Sequence, residues 1–173
     1  MRMIDNLFFR FQSLILRKFK RKYKIGQFQI ILPAGHKLDI FKRKFSNYDA
    51  KLPIIAKFIA EKYETISIID IGANIGDTAT ALRCEVDSAI VCVEGNPAFI
   101  PTLERNISAL PGIIKVIDKF VGKEGEDRAG KIVTGNGTAR IEFNVGEGQS
   151  PEIQFISYKN IMTAKNDLPQ TKL

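Results

Sequence analysis

The sequence predicts an α/β domain built around a parallel sheet, and three observations support this. Short apolar runs at 66–71, 89–93 and 113–117 have the length and the β-branched content of buried parallel strands. Helical patterns at 77–84 and 96–110 separate these runs. The first run also ends in a glycine-rich turn. The order strand, helix, strand, helix, strand is the first βαβαβ half of a doubly wound fold.

Length and composition fit one globular domain. The chain has 173 residues, of which 45% are hydrophobic and 26% are charged. Its net charge of +7 suggests an anionic partner, such as nucleic acid, a membrane surface or a phosphorylated substrate. Cys84 and Cys92 lie outside any Cys-x-x-Cys pair, so we expect reduced thiols and no metal site. Because the sequence shows neither the pattern of a signal peptide nor an apolar run long enough to span a membrane, we expect a cytoplasmic protein.

Residues 1–26 are predicted to form a basic N-terminal segment. Apolar residues between Met3 and Ile15 recur at three- and four-residue steps, which predicts an amphipathic helix reaching about Lys24. Six basic residues crowd into 17–24. Such a helix either lies on an anionic membrane surface, at the inner face, or packs on the domain with a solvated basic end.

The remaining chain divides into a lead-in and the sheet-containing unit. The lead-in, 27–64, contains a predicted strand at its start and a helix over 54–63 that Pro53 opens. The larger unit, 65–173, carries the three strands. After them, two runs flanking a Gly-Asn-Gly turn at 135–137 predict an antiparallel β-hairpin.

The turn after the first strand has a spacing that separates two classes of nucleotide cofactor. Counted from Gly72, a dinucleotide fingerprint requires glycine at the positions of Asn74 and Asp77, and a carboxylate there would repel a pyrophosphate. Asp70, Gly72 and Gly76 instead match an acidic residue followed by alternate small residues. That pattern is typical of enzymes that bind S-adenosylmethionine (SAM), a cofactor without phosphate.

Glu94 ends the second strand, 24 positions after Asp70. In a doubly wound fold an acid at this place binds the ribose of the cofactor, and a carboxylate can accept from both ribose hydroxyls. Because NAD and SAM share that ribose, Glu94 alone does not separate them. The glycine-rich turn and Glu94 together are more specific than either feature.

Three segments of this chain resemble the FkbM family of SAM-dependent methyltransferases. They are Asp-Ile-Gly-Ala-Asn-Ile-Gly-Asp-Thr at 70–78, Val-Glu-Gly-Asn-Pro at 93–97 and Leu-Glu-Arg-Asn-Ile at 103–107. The resemblance covers roughly 27–173. It implies a Rossmann-like methyltransferase fold that uses SAM to methylate a hydroxyl of a glycan sugar or a small metabolite.

The resemblance also implies a role for each matched position. Asp70 and Gly72 would lie at the methionine end of SAM, with Ala73, Asn74 and Gly76 along the turn. Glu94 would bind the ribose. The adenosine would contact Gly95 and Asn96, and its adenine edge would face Phe120, Val121 and Gly122.

The family pattern continues with a fourth strand that these residues do not include, so we expect the N-terminal part of such a domain, and we assign no catalytic residue. In the strand order 3-2-1-4-5, strand 66–71 would then be an edge and would favour self-association. Two alternatives stay open: an NAD-binding oxidoreductase, and a non-catalytic module that binds a membrane surface or a partner. A nucleic-acid platform is disfavoured because few aromatic residues interleave with the basic clusters.

Overall fold

A computed structural model describes residues 19–45, 47, 49–63, 66–123, 128–135, 138–143 and 152–168. The strands are β1 (Arg21–Ile25), β2 (Phe28–Leu32), β3 (Ser67–Ile71), β4 (Ala89–Val93), β5 (Ile114–Ile117), β6 (Phe120–Val121), β7 (Arg128–Gly135), β8 (Thr138–Phe143), β9 (Glu152–Ile153) and β10 (Phe155–Ile156). The helices are α1 (Leu38–Lys44), α2 (Lys51–Lys62), α3 (Asp77–Arg83), α4 (Ile100–Ile107) and α5 (Tyr158–Asn166).

Within the described residues, the central sheet has three parallel strands in the order β3-β4-β5. Every residue of β4 is buried, because β4 has a strand on each side and helices over both faces. β3 is an edge of this sheet, and its last residue, Ile71, is 55% exposed. The predicted α/β class, the βαβαβ unit and the edge position of this strand are confirmed. Association through the edge stays a prediction.

Successive side chains of β4 point to opposite faces of the sheet, so the core has one part on each face. Ile90 and Cys92 point to one face, where α2, α3 and α4 cover them. Val91 and Val93 point to the other face, where Ile161 of α5 packs on them. Helices on both faces make the arrangement doubly wound.

The predicted N-terminal helix is wrong for residues 21–24. These residues belong to β1, which pairs antiparallel with β2, with Tyr23 opposite Ile30. Exposure alternates along β1 as in a strand with one covered face, and Gly26 adopts a positive φ of 54° in the tight turn between the strands. Residues 1–18 lie outside the described part of the chain.

Asn106 joins this hairpin to the turn after β3. Its Nδ2 group donates to the carbonyl oxygens of Ile31, at 3.1 Å, and Ile75, at 2.8 Å. Its Oδ1 accepts from the backbone N–H of Ile31 at 2.8 Å. One side chain from α4 therefore ties β2 and the turn together.

Other boundaries differ from the predictions by small amounts. α2 begins at Lys51, before Pro53, and α4 begins at Ile100 because Asn96–Phe99 forms a turn. The predicted hairpin is confirmed as β7 and β8. α1 and α5 were not predicted. Among the described helices, none has the length and apolar content needed to cross a bilayer.

Candidate cofactor-binding site

The turn between β3 and α3 has an unusual concentration of left-handed backbone. Gly72, Asn74 and Gly76 have φ values of 78°, 50° and 82°. Glycine tolerates this region, and asparagine is one of the few other residues that does. The backbone N–H groups of Gly72 and Ala73 both donate to the Val93 carbonyl oxygen, at 2.8 Å and 3.1 Å. These bonds hold the turn against the end of β4.

Glu94 connects this turn to the one that follows β4. Its Oε2 accepts from the backbone N–H of Asn74 and its Oε1 from that of Asn96, each at 2.8 Å. The residue is only 7% exposed. Because a carboxylate has about four acceptor positions, each oxygen keeps one for a further donor.

A cavity of about 390 Å³ lies at the carboxyl ends of the parallel strands. In open α/β sheets ligands bind at this end of the strands. The described residues lining it lie at the ends of β3 and β4, in the turn before α4, in the segment from Lys119 through β6, and in β8. They are Ile71, Gly72, Asn74, Val93, Glu94, Gly95, Phe99, Lys119, Phe120, Val121 and Ala139.

The predicted site residues divide into a lining set and a supporting set. Gly72, Asn74, Glu94, Gly95 and Val121 line the cavity. The other four, Asp70, Ala73, Gly76 and Asn96, are not among the lining residues.

Asn96 and Gly76 show what the supporting set does. Besides donating to Glu94, Asn96 accepts at Oδ1 from the Ala98 N–H at 3.0 Å, so it shapes its own turn. A Cβ on Gly76 would lie 3.0 Å from the Leu103 side chain, so glycine also allows close packing on α4.

Gly95 has a steric role that the sequence pattern did not reveal. A Cβ at this position would lie 2.3 Å from the Phe120 ring. The ring therefore packs directly on the Gly95 backbone, at the border between the main cavity and a second one of about 210 Å³. The predictions also missed the lining residues Ile71, Val93, Phe99, Lys119 and Ala139. Lys119 adjoins the predicted Phe120–Val121 stretch, whereas nothing local to Ala139 placed β8 at the site.

His36 supports the site from the lead-in region. It is buried, its Nδ1 accepts from the Leu38 N–H at 3.4 Å, and its side chain lies close to that of Asn74. Burial lowers the pKa of His36.

The amino end of α3 concentrates negative charge. Burial, with the neighbouring charges of Asp77, Asp49 and Glu94, raises the pKa of Asp70 to about 6. Burial also raises the pKa of Asp77. Among the described residues none donates a hydrogen bond to Asp70 Oδ2, which is buried. This region would therefore favour a bound cation and disfavour a phosphate.

The raised pKa of Asp70 predicts that stability falls as pH rises. Folded Asp70 holds its proton up to about pH 6, whereas the unfolded residue loses it near 3.8. We expect the free energy of unfolding to drop by about 2–3 kcal/mol between pH 4 and pH 6 from this residue. Urea unfolding across that range should show the drop, and Asp70→Asn should remove it.

Asp167→Asn is the matched control for this measurement, because Asp167 is exposed at the end of α5. It should leave the pH dependence unchanged. An Asp70→Asn protein that keeps the full slope would show that Asp70 ionises normally in the folded state.

A third cavity, of about 400 Å³, lies at the opposite end of β4. Four of its five charged lining residues form two ion pairs, Lys57 with Glu85 at 3.5 Å and Arg83 with Asp87 at 3.6 Å. None of the predicted site residues lines it.

Comparison with known proteins adds little to this picture. No protein-family model matches the chain, and no curated protein matches it. One solved structure that aligns, with a TM-score of 0.35 and 21% identity, is that of "a putative RNA methyltransferase" from Pyrococcus horikoshii. The alignment covers 61% of this chain and 48% of the other, so the chain spans about half of that structure. A likeness this loose establishes neither fold nor function. The FkbM assignment stays a prediction from the motifs.

Proposed function

We propose that the cavity binds SAM and that the chain is the cofactor-binding part of a methyltransferase. The observation that carries the proposal is the placement of Glu94. Its carboxylate lies in the cavity lining at the end of β4 with an acceptor position left on each oxygen, which suits the two ribose hydroxyls.

The surroundings of Glu94 suit the other parts of SAM. On one side, Phe99, Phe120 and Val121 offer an apolar surface for adenine. On the other side, the glycine-rich turn leads to Asp70 and Asp77, whose negative charge would favour the amino group and the sulfonium. Bound there, SAM would supply an electrophilic methyl group.

The proposal also includes the group that would accept the methyl. The resemblance to the FkbM family supports a hydroxyl of a glycan sugar or of a small metabolite. Residues of this chain would hold and orient the cofactor, and positioning of this kind contributes much of the rate of a transfer reaction. No described side chain is assigned as a base.

The acidic region distinguishes SAM from NAD. Asp77 is the first residue of α3, where a dinucleotide pyrophosphate would lie, and its half-buried carboxyl lies near Asp70. A pyrophosphate at this helix end would face two carboxyl groups. NAD should therefore bind much more weakly than SAM.

Calorimetric titration with SAM, S-adenosylhomocysteine and NAD tests the proposal. We expect both SAM and S-adenosylhomocysteine to bind, with SAM affinity rising between pH 5 and pH 7 as Asp70 ionises. Val121→Trp fills the adenine end of the cavity from a 40% exposed position and should weaken binding at least about tenfold.

Gln29→Trp is the matched control, because it adds the same side chain at an exposed strand position away from the cavity. It should bind SAM as the unaltered chain does. A folded chain that binds NAD and not SAM would replace the proposal with the oxidoreductase alternative. Equal SAM binding by Val121→Trp would place the adenosine elsewhere.

A further inference from the structure

Helix α2 presents an apolar surface to solvent, here called the α2 face. Two of its residues, Ile54 and Phe58, are 65% and 68% exposed. They lie four positions apart and therefore on one side of the helix. The full set is Leu52, Ile54, Ile55, Phe58, Ile59 and Tyr63, all at least 40% exposed.

These side chains do not pack into the hydrophobic core. α2 packs against α3 and the sheet through its small residues Ala56 and Ala60. Ile54 and Phe58 point about half a turn away from that contact. Six large apolar side chains, each 40–68% exposed, lie on this helix and the residue after it, and large exposed apolar patches are uncommon on monomers. Such patches mark interaction surfaces.

Lysines surround the α2 face. Lys51 and Lys62 lie at its two ends. Lys57, at its side, pairs with Glu85 at 3.5 Å, and the one acid within the helix is Glu61. The Lys62 ammonium lies 5.7 Å from the centre of the Tyr63 ring, at the end of the apolar surface. At the preceding helix, Lys44 lies 5.6 Å from the exposed Phe45 ring. Apolar side chains flanked by lysines are typical of helices that lie in the headgroup region of a bilayer.

We propose that the α2 face docks on the surface of an anionic lipid bilayer. The apolar side chains would enter the boundary of the acyl chains, while the lysines would contact lipid phosphates. The charge pattern favours this occupant over a second copy of the chain. Antiparallel packing of two α2 helices would bring Lys51 of one copy towards Lys62 of the other. The net charge of +7 adds attraction to an anionic surface.

A single introduced tryptophan tests the proposal, because the chain contains none. Phe58→Trp places the fluorophore in the α2 face. Adding phosphatidylcholine vesicles with about one third phosphatidylserine should shift its emission to shorter wavelength, and brominated lipids should quench it. Vesicles without phosphatidylserine should have little effect. Tyr158→Trp, at an exposed aromatic position on α5, should show neither change.

Two further measurements distinguish binding to lipid from contact between copies of the chain. The double variant Lys51→Gln, Lys62→Gln should weaken vesicle binding at least about tenfold, as should raising the salt to about 0.5 M. The proposal is overturned if vesicles leave Phe58→Trp emission unchanged. It is also overturned if the emission shift occurs without lipid and follows protein concentration, which would make the α2 face a contact between copies.

Discussion

Glu94→Gln is expected to lower the free energy of unfolding by about 2–4 kcal/mol at neutral pH. Each carboxylate oxygen accepts a backbone N–H at 2.8 Å, from Asn74 and from Asn96. Glutamine has one acceptor oxygen, and its amide nitrogen would face the second N–H as another donor. One buried hydrogen bond to a charged group is lost and the two donors repel. Urea unfolding measures the change.

Glu104→Gln is the matched control, since Glu104 is exposed on α4. It should change the free energy of unfolding by no more than about 0.5 kcal/mol. Because Glu94 also holds the two turns, weaker SAM binding by its variants reports two effects together. A Glu94→Gln protein with unchanged stability and no SAM binding would mean that the carboxylate serves the ligand and does not hold the turns.

Asn106→Leu is expected to have the largest effect on stability, about 3–5 kcal/mol. Leucine has the same number of side-chain heavy atoms and the same branching at Cγ but makes none of the three hydrogen bonds to Ile31 and Ile75. Asn106 is only 2% exposed, so water cannot easily replace them. The hairpin β1–β2 should then detach from the turn after β3, and thermal or urea unfolding should show the loss.

Asn106→Asp and Asn166→Leu refine this test. Aspartate keeps an acceptor for the Ile31 N–H but removes both donated bonds and buries a charge, so it should also destabilise the protein strongly. Asn166 is exposed at the end of α5, and its replacement should be nearly neutral. A fully stable Asn106→Leu protein would show that the hairpin is held by apolar packing alone.

Both variants concern groups that hold the candidate site, so ligand binding and folding should be coupled. A ligand that binds only the folded chain raises its apparent stability in proportion to the logarithm of its concentration. SAM should therefore recover part of the stability that a weakened turn loses.

Local patterns predicted much of the fold, and the places where they failed have physical causes. Strands β3, β4 and β5 follow from short apolar runs whose ends are marked by glycine, acid or proline. The β7–β8 hairpin follows from its Gly-Asn-Gly turn. The predicted helix was extended from the apolar steps at 3–15 through the basic stretch to about Lys24, but residues 21–24 pair with β2 and form a strand. Tertiary contacts commonly override weak local preference.

In the candidate site, too, some residues were predictable from local sequence and others were not. Its glycines and Glu94 were predictable because a tight strand-to-helix turn and a strand-end acid leave local signals. The bonds from Glu94 to both turns were not predictable, since they depend on how the ends of β3 and β4 meet. Lining residues from distant segments, such as Ala139 on β8, depend on the path of the chain around the sheet.

By itself the sequence determined the α/β class, the strand order and the glycines and acidic residues that end the strands, because these follow from periodicity, glycine geometry and charge. Only the tertiary structure decided that Asn106 joins a hairpin 75 positions away, that Asp70 is buried beside other acids, and that α2 turns an apolar face to solvent. Burial and hydrogen bonding between distant residues are properties of the packed chain. Local sequence fixes which groups are available, and packing fixes which of them meet.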